Sequence, residues 1–122
     1  MFMSLKHLSK KLLDPLVIES LILTLRDFIR ANCNPDRIIL FGSAARREMT
    51  DMSDLDVIVL FANQDELKLA RRNYFGQRSP MDYPVDILFM TTADYMHRAG
   101  IGGVCFIAET EGRVLYQSEG QE

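Results

Sequence analysis

Cysteine and histidine are scarce in this chain of 122 residues, which holds two of each. Cys33 and Cys105 lie far apart, without the short spacing of a zinc or redox motif, and read as reduced, structural thiols. His7 and His97 are likewise isolated, and neither is expected to ligate a metal. A basic field is missing too: 14 Lys and Arg face 17 Asp and Glu, for a formal charge of −3. That balance argues against a general polynucleotide-binding surface, so nucleic acid is not expected as the direct substrate. Long apolar runs are absent from the start of the chain, MFMSLKHLSKKLLDPLVIESLILTL, which Lys6, Lys10, Lys11, Asp14 and Glu19 interrupt. It has neither the cleavage site of a secretion signal nor a run of about 20 apolar residues. The expectation is a cytoplasmic protein without a membrane anchor.

What is present is the material of one globular domain. Hydrophobic residues make up 48% of the chain and charged residues 25%, enough for a single core. No repeat, low-complexity tract or linker divides residues 1–122. Apolar residues at 17, 18, 21, 22, 25, 28 and 29 form a helical stripe over 15–31, with Pro15 suited to its first turn and Asp14 to its N-cap. Leu5, Leu8, Leu12 and Leu13 predict a second short amphipathic helix ahead of it. Asn34-Pro35 marks a turn. Short buried strands are expected at 37–41 and 54–61, and a third at 83–90, where Pro84 suits an edge or a strand start. Helices are expected at 43–49, 64–75, 93–99 and 104–110. Thr91 or Thr92 is a candidate cap, and Gly112 a stop before a last short element at 113–116. This order predicts an α/β (α+β) protein with a mixed β-sheet and helices packed on one face.

The stretch LFGSAARREMTDMSDLDVIVLF, residues 40–61, carries the chemistry. A buried strand avoids unpaired acids because an unpaired charge away from water is costly. Yet Asp54 and Asp56 open the second strand and, by strand alternation, point the same way. Asp86, between the core-bound Val85 and Ile87, points to that face of the third strand. Were the two strands neighbours, three carboxylates would share one face and raise one another's pKa values unless a cation joined them. Hard oxygen ligands suit Mg²⁺, with Mn²⁺ possible, and two such ions about 4 Å apart serve in-line phosphoryl displacement. Gly42 permits close backbone approach, and a helix starting there presents N–H groups to phosphate. Ser43 adds a hydroxyl, and Arg46 or Arg47 can reach phosphate oxygens. A metal-bound nucleoside triphosphate satisfies both halves.

Gly42-Ser43, ten intervening residues and Asp54-x-Asp56 resemble the signature of the DNA polymerase β-like nucleotidyltransferase superfamily. Ser53 before the first acid and Asp86 as a third carboxylate also match. The chain is similar to the minimal nucleotidyltransferase (MNT) group, the antitoxins of HEPN/MNT toxin–antitoxin pairs. The resemblance implies a catalytic core over 36–90 behind a helical N-terminal part, 1–31. It implies transfer of a nucleoside monophosphate, AMP from ATP, to an acceptor hydroxyl with two Mg²⁺ ions. Asp54, Asp56 and Asp86 would be the metal-binding and catalytic residues; Gly42, Ser43, Arg46, Arg47 and Ser53 would hold the nucleotide. The run departs from the usual Gly-Ser-x-Ala-Arg-Gly at Arg47, which stands in the place of a glycine.

Three readings remain open. One is a tyrosine of an all-helical HEPN-type RNase toxin, which the protein would adenylylate and silence as an antitoxin, in a hetero-oligomer. A second is an antibiotic or metabolite, with an oligomer supplying the pocket walls. In the third, the protein is a binding-only antitoxin. Lys68, Arg71, Arg72 and Arg78 read as a solvated helix face, with a triphosphate or an acidic partner as the alternative. The N-terminal leucines read as core or packing surface, and Tyr74, Tyr83, Tyr95 and Tyr116 as packing residues.

Overall fold

The computed structural model describes residues 12–76 and 81–119. Helix α1 (Pro15–Asn32) begins where Asp14 accepts the Leu16 N–H at 2.8 Å, and Pro15 occupies its first turn. Its apolar stripe buries Ile22, Leu25 and Ile29. Strand β1 (Arg37–Phe41) follows the Asn34-Pro35 turn, then a single helical turn, α2 (Gly42–Ala45), and strand β2 (Leu55–Phe61). Helix α3 (Gln64–Phe75) starts on Asn63, whose side chain accepts the Glu66 N–H at 2.9 Å. Strand β3 (Val85–Thr91) runs directly into α4 (Thr92–Ala99), with Thr91 Oγ1 accepting the Asp94 N–H as its cap. Helix α5 (Gly103–Glu111) and strand β4 (Arg113–Gln117) complete the chain as described.

The sheet has the order β3-β2-β1-β4. β1 lies antiparallel to β2 and β4, whereas β2 and β3 are parallel, so the sheet is mixed as expected. A parallel neighbour requires a crossover, and α3 supplies it. On one face, Ile38, Leu40, Val57, Val59 and Phe61 pack against α1 and the Leu67–Ala70–Tyr74 stripe of α3. Edge-to-face ring contacts tie that layer together: Phe28–Tyr74 at 5.4 Å, Tyr74–Phe89 at 5.6 Å and Phe61–Phe89 at 5.4 Å.

The other face is covered as well, which the sequence reading did not foresee. Ile39, Phe41, Ile58 and Leu60 pack against Tyr95 of α4 and Cys105 and Ala108 of α5. The reason is that β1 and β2 are apolar on both sides, so each face needs a layer to exclude water. This second layer leaves the Asp56 end of the face partly open, since Asp56 is half-buried while Ile58 and Leu60 are fully covered.

Two local expectations are corrected. The helix predicted over 43–49 ends after one turn, because Arg47 adopts a left-handed φ of 60° and the Glu48 N–H returns to the Ser43 carbonyl at 2.8 Å. Leu12 and Leu13 are not helical either. Leu12 bridges Thr50 in antiparallel fashion and the Leu13 N–H donates to the Met49 carbonyl at 3.1 Å. Leu5 and Leu8, the rest of that predicted helix, lie outside the described residues, as does Arg78.

Gly112, between α5 and β4, lies so close to its surroundings that an added Cβ would meet the Ala108 carbonyl, Ile39 Cγ2 and the Leu40 carbonyl. At Gly100 the same atom would meet only ordinary contacts, at 3.6 and 3.8 Å. Gly112→Ala should therefore cost about 1–3 kcal/mol of unfolding free energy, and Gly100→Ala almost nothing. Urea denaturation of the two variants checks the contrast.

Candidate active site

Strand alternation and register assemble the acids. Asp56 is the second residue of β2, opposite Phe41 on β1 and beside Asp86 on β3. The parallel pairing thus sets two carboxylates side by side on the face shared with Ile58 and Leu60. Asp54 immediately precedes β2 and is exposed, as is Asp86; Asp56 is half-buried. Loss of hydration pushes the Asp56 carboxyl above its usual range, and the negative charges of Asp86 and Asp54 push it further. Arg46 acts in the opposite direction. Asp56 therefore has both other acids as neighbours. Among the described residues, no three His, Cys, Asp or Glu side chains converge closely enough to enclose a metal ion by themselves. The donor set is all oxygen and its charges repel, which fits Mg²⁺ or Mn²⁺ with further oxygens drawn from a triphosphate.

The Gly-Ser turn meets these acids through its backbone. Gly42 has a φ of +74°, and a Cβ built there would fall on Asp56 Oδ2. Glycine is needed both for its conformation and for the approach of the carboxylate. Ser43 follows in α2, half-buried. Arg46 is exposed and donates from Nε to Glu48 Oε1 at 2.9 Å, a contact that raises its pKa; Glu48, Glu111 and Asp56 add to the effect by charge. Glu48 was not singled out from the sequence, because an arginine and a glutamate two residues apart meet only when the helix between them breaks.

Arg47 and Ser53 are placed elsewhere. The left-handed turn swings Arg47 away from the acids, and it lines a cavity of about 500 Å³ with Leu12, Pro15, Ile18, Glu19 and Met49. Its charge acts there on Glu19, which Arg113 grips with two hydrogen bonds of 2.9 and 2.7 Å. Of the two candidate arginines, only Arg46 faces the acids. Ser53 closes the turn before β2 instead of reaching outward, its Oγ accepting the Thr50 N–H at 3.0 Å. Tyr83 donates to the Thr50 carbonyl at 3.3 Å. Burial first, then the charges of Asp54 and Asp51, raises its hydroxyl pKa, so Tyr83 stands beside the acidic turn.

Over residues 24–119 the sequence matches the family described as "Polymerase beta, Nucleotidyltransferase". The chain belongs to that nucleotidyltransferase family. A crystal structure from Sulfolobus solfataricus, described as that of a "putative nucleotidyltransferase", is 16% identical, with a TM-score of 0.47. The alignment covers 84% of this chain and 82% of that one, a likeness too loose to bear on the site. No curated protein matches the sequence. The described part of this nucleotidyltransferase contains no helix long and apolar enough to cross a membrane.

The position of Asp56 has a measurable cost. Its carboxyl pKa is raised in the fold, so ionisation opposes folding and stability rises as the pH falls through that raised value. Asp56→Asn should therefore melt at a higher temperature than the parent protein at pH 7 in EDTA. The gain should vanish at a pH below the ordinary carboxylate range, where Asp56 is protonated in folded and unfolded chains alike. Thermal melts across pH test this directly.

Proposed function

We propose that this nucleotidyltransferase moves a nucleoside monophosphate, AMP from ATP, onto a hydroxyl of a partner protein. The observation that carries the reading is the register of β2 and β3, which makes Asp56 and Asp86 neighbours while the Gly42 backbone abuts Asp56. Asp54, Asp56 and Asp86 are the residues that would hold Mg²⁺. The bound metal would neutralise the triphosphate and polarise its phosphorus–oxygen bonds. Gly42, whose backbone abuts Asp56, and the adjoining Ser43 would contact phosphate, and Arg46 supplies a positive charge that acts on Asp56. The acceptor oxygen attacks the α-phosphorus, a new P–O bond forms, and the bond to the leaving pyrophosphate breaks. Asp86, exposed at the start of an edge strand, would take the hydroxyl proton. Transfer of this kind depends mainly on positioning and electrostatics, which a small domain can supply.

The acceptor we favour is a tyrosine of an all-helical HEPN-type RNase toxin, which would make this protein its antitoxin. The support is the resemblance of the Gly-Ser and Asp-x-Asp motifs to the MNT group, together with an acidic face that α4 and α5 leave accessible.

The test is co-expression with the product of the neighbouring reading frame, followed by addition of Mg²⁺ and each NTP. Intact masses of both proteins should show nucleoside-monophosphate increments on the neighbour, strongest with ATP. Asp56→Ala should lower their rate by at least about a thousandfold. Asp86→Asn should depress turnover far more than nucleotide affinity, measured by steady-state kinetics. A stable complex that gains no mass under any NTP would contradict protein modification.

A further inference from the structure

β3 is an outer strand of the sheet, and among the described residues nothing pairs with its far side. The Leu55 N–H donates to the Pro84 carbonyl at 3.0 Å, which sets the phase of the β2–β3 ladder. Backbone groups in a parallel pair alternate between neighbour and open side, so those of Val85, Ile87 and Phe89 face outward. Natural edges are commonly guarded by lysines, prolines or bulges. Within β3 the only charged residue is Asp86.

A groove of about 280 Å³ follows this edge, lined by Arg71, Phe75, Ile87, Leu88, Phe89 and Met90. It includes residues from both faces of β3, so it lies along the strand's rim. Phe75, 66% exposed, stands over it with its ring 5.9 Å from Phe89. Lys68, Arg71 and Arg72 share the adjoining side of α3, three and four residues apart. All three are exposed, and none forms an ion pair among the described residues. An unpaired basic stripe in an acidic protein is itself a charge preference.

We infer that the β3 edge is the docking surface for an extended, acidic segment lying outside the helices of a partner protein, added to the sheet as a further strand. Outward N–H and C=O groups of Val85, Ile87 and Phe89 supply the ladder, the Phe75 groove takes an apolar side chain, and Lys68, Arg71 and Arg72 attract carboxylates. The same strand begins with Val85-Asp86, so a segment lying along it passes the acidic site at one end. This deepens the proposed function: resting on that reading, it assigns the route by which a protein acceptor presents its hydroxyl.

Binding is measured without nucleotide, so it reports on docking separately from transfer. The probe is a blocked strand-length peptide of alternating valine and glutamate with a central tyrosine, titrated into ¹⁵N-labelled protein. Perturbed amides should cluster at residues 85–90 and 71–76. Arg71→Glu and Phe75→Ser, each folded by its amide spectrum, should each weaken binding about tenfold. Asp56→Asn should bind the peptide as the parent does. A lysine-for-glutamate peptide that binds equally well, or perturbations away from β3, would overturn the proposal. So would tighter binding of oligouridylate to the same surface, or a concentration-dependent dimer that perturbs the edge without peptide. Peptide binding at the edge with no nucleotidyl transfer to any acceptor would leave docking standing and reject the transferase reading alone.

Discussion

The parallel pairing of β2 with β3 is the constraint on which the rest of this structure depends. It places Asp56 beside Asp86, and no other pairing in the sheet brings two acids together. It also requires a crossover helix, and that helix, α3, carries Leu67, Ala70 and Tyr74 into the main core. The strand that accepts Asp56 is otherwise completely buried from Leu55 to Phe61. A fold that holds a carboxylate in such a strand bears a standing electrostatic cost, expressed in the raised pKa of Asp56. Burial of Val57, Ile58, Val59 and Leu60, each worth roughly 1.5–3 kcal/mol, offsets that cost.

The two faces of the sheet divide the labour. One is closed by α1 and α3 and holds the larger core, including the linked aromatic rings. The other is closed only in part, by Tyr95, Cys105 and Ala108, and leaves its acidic end accessible. At the far end of that face, Tyr95 donates to Glu109 at 2.7 Å and Arg37 pairs with the same carboxylate at 3.6 Å. That polar cluster anchors α4 to α5 and to the start of β1. Cys33 and Cys105 are both free thiols; burial pushes Cys33 up to about 11, which leaves it un-ionised at neutral pH and chemically quiet.

Much of this was legible because the signals were local. Asp14-Pro15 and Thr91 announce helix starts through their own side chains, and each forms the expected cap; Asn63 caps α3 in the same way, though it was not singled out from the sequence. The acids at 54, 56 and 86 could be assigned a common face because alternation in a strand depends only on counting. Features that rest on distant contacts or unusual backbone were harder to read. A left-handed Arg47 cannot be inferred from residue type, since the conformation is uncommon outside glycine. It shortens α2, sends Arg47 to the α1 side and leaves Arg46 alone with the acids. Ser53 illustrates a second limit: its hydroxyl can serve a turn or a ligand, and here Thr50 holds it. Helices were expected on one face, whereas α4 and α5 cover the other, because a strand pattern apolar on both sides does not say which helix lies on which.

On the proposed reading, the acidic face between β2 and β3 receives a metal-bound nucleotide. The most direct measurement is paramagnetic: add Mn²⁺ with a non-hydrolysable ATP analogue to ¹⁵N-labelled protein and record which amide signals broaden. Selective broadening is expected at residues 42–43, 54–56 and 85–86, and is lost in Asp56→Asn. Broadening centred on another part of the fold, or unchanged by that substitution, would contradict it.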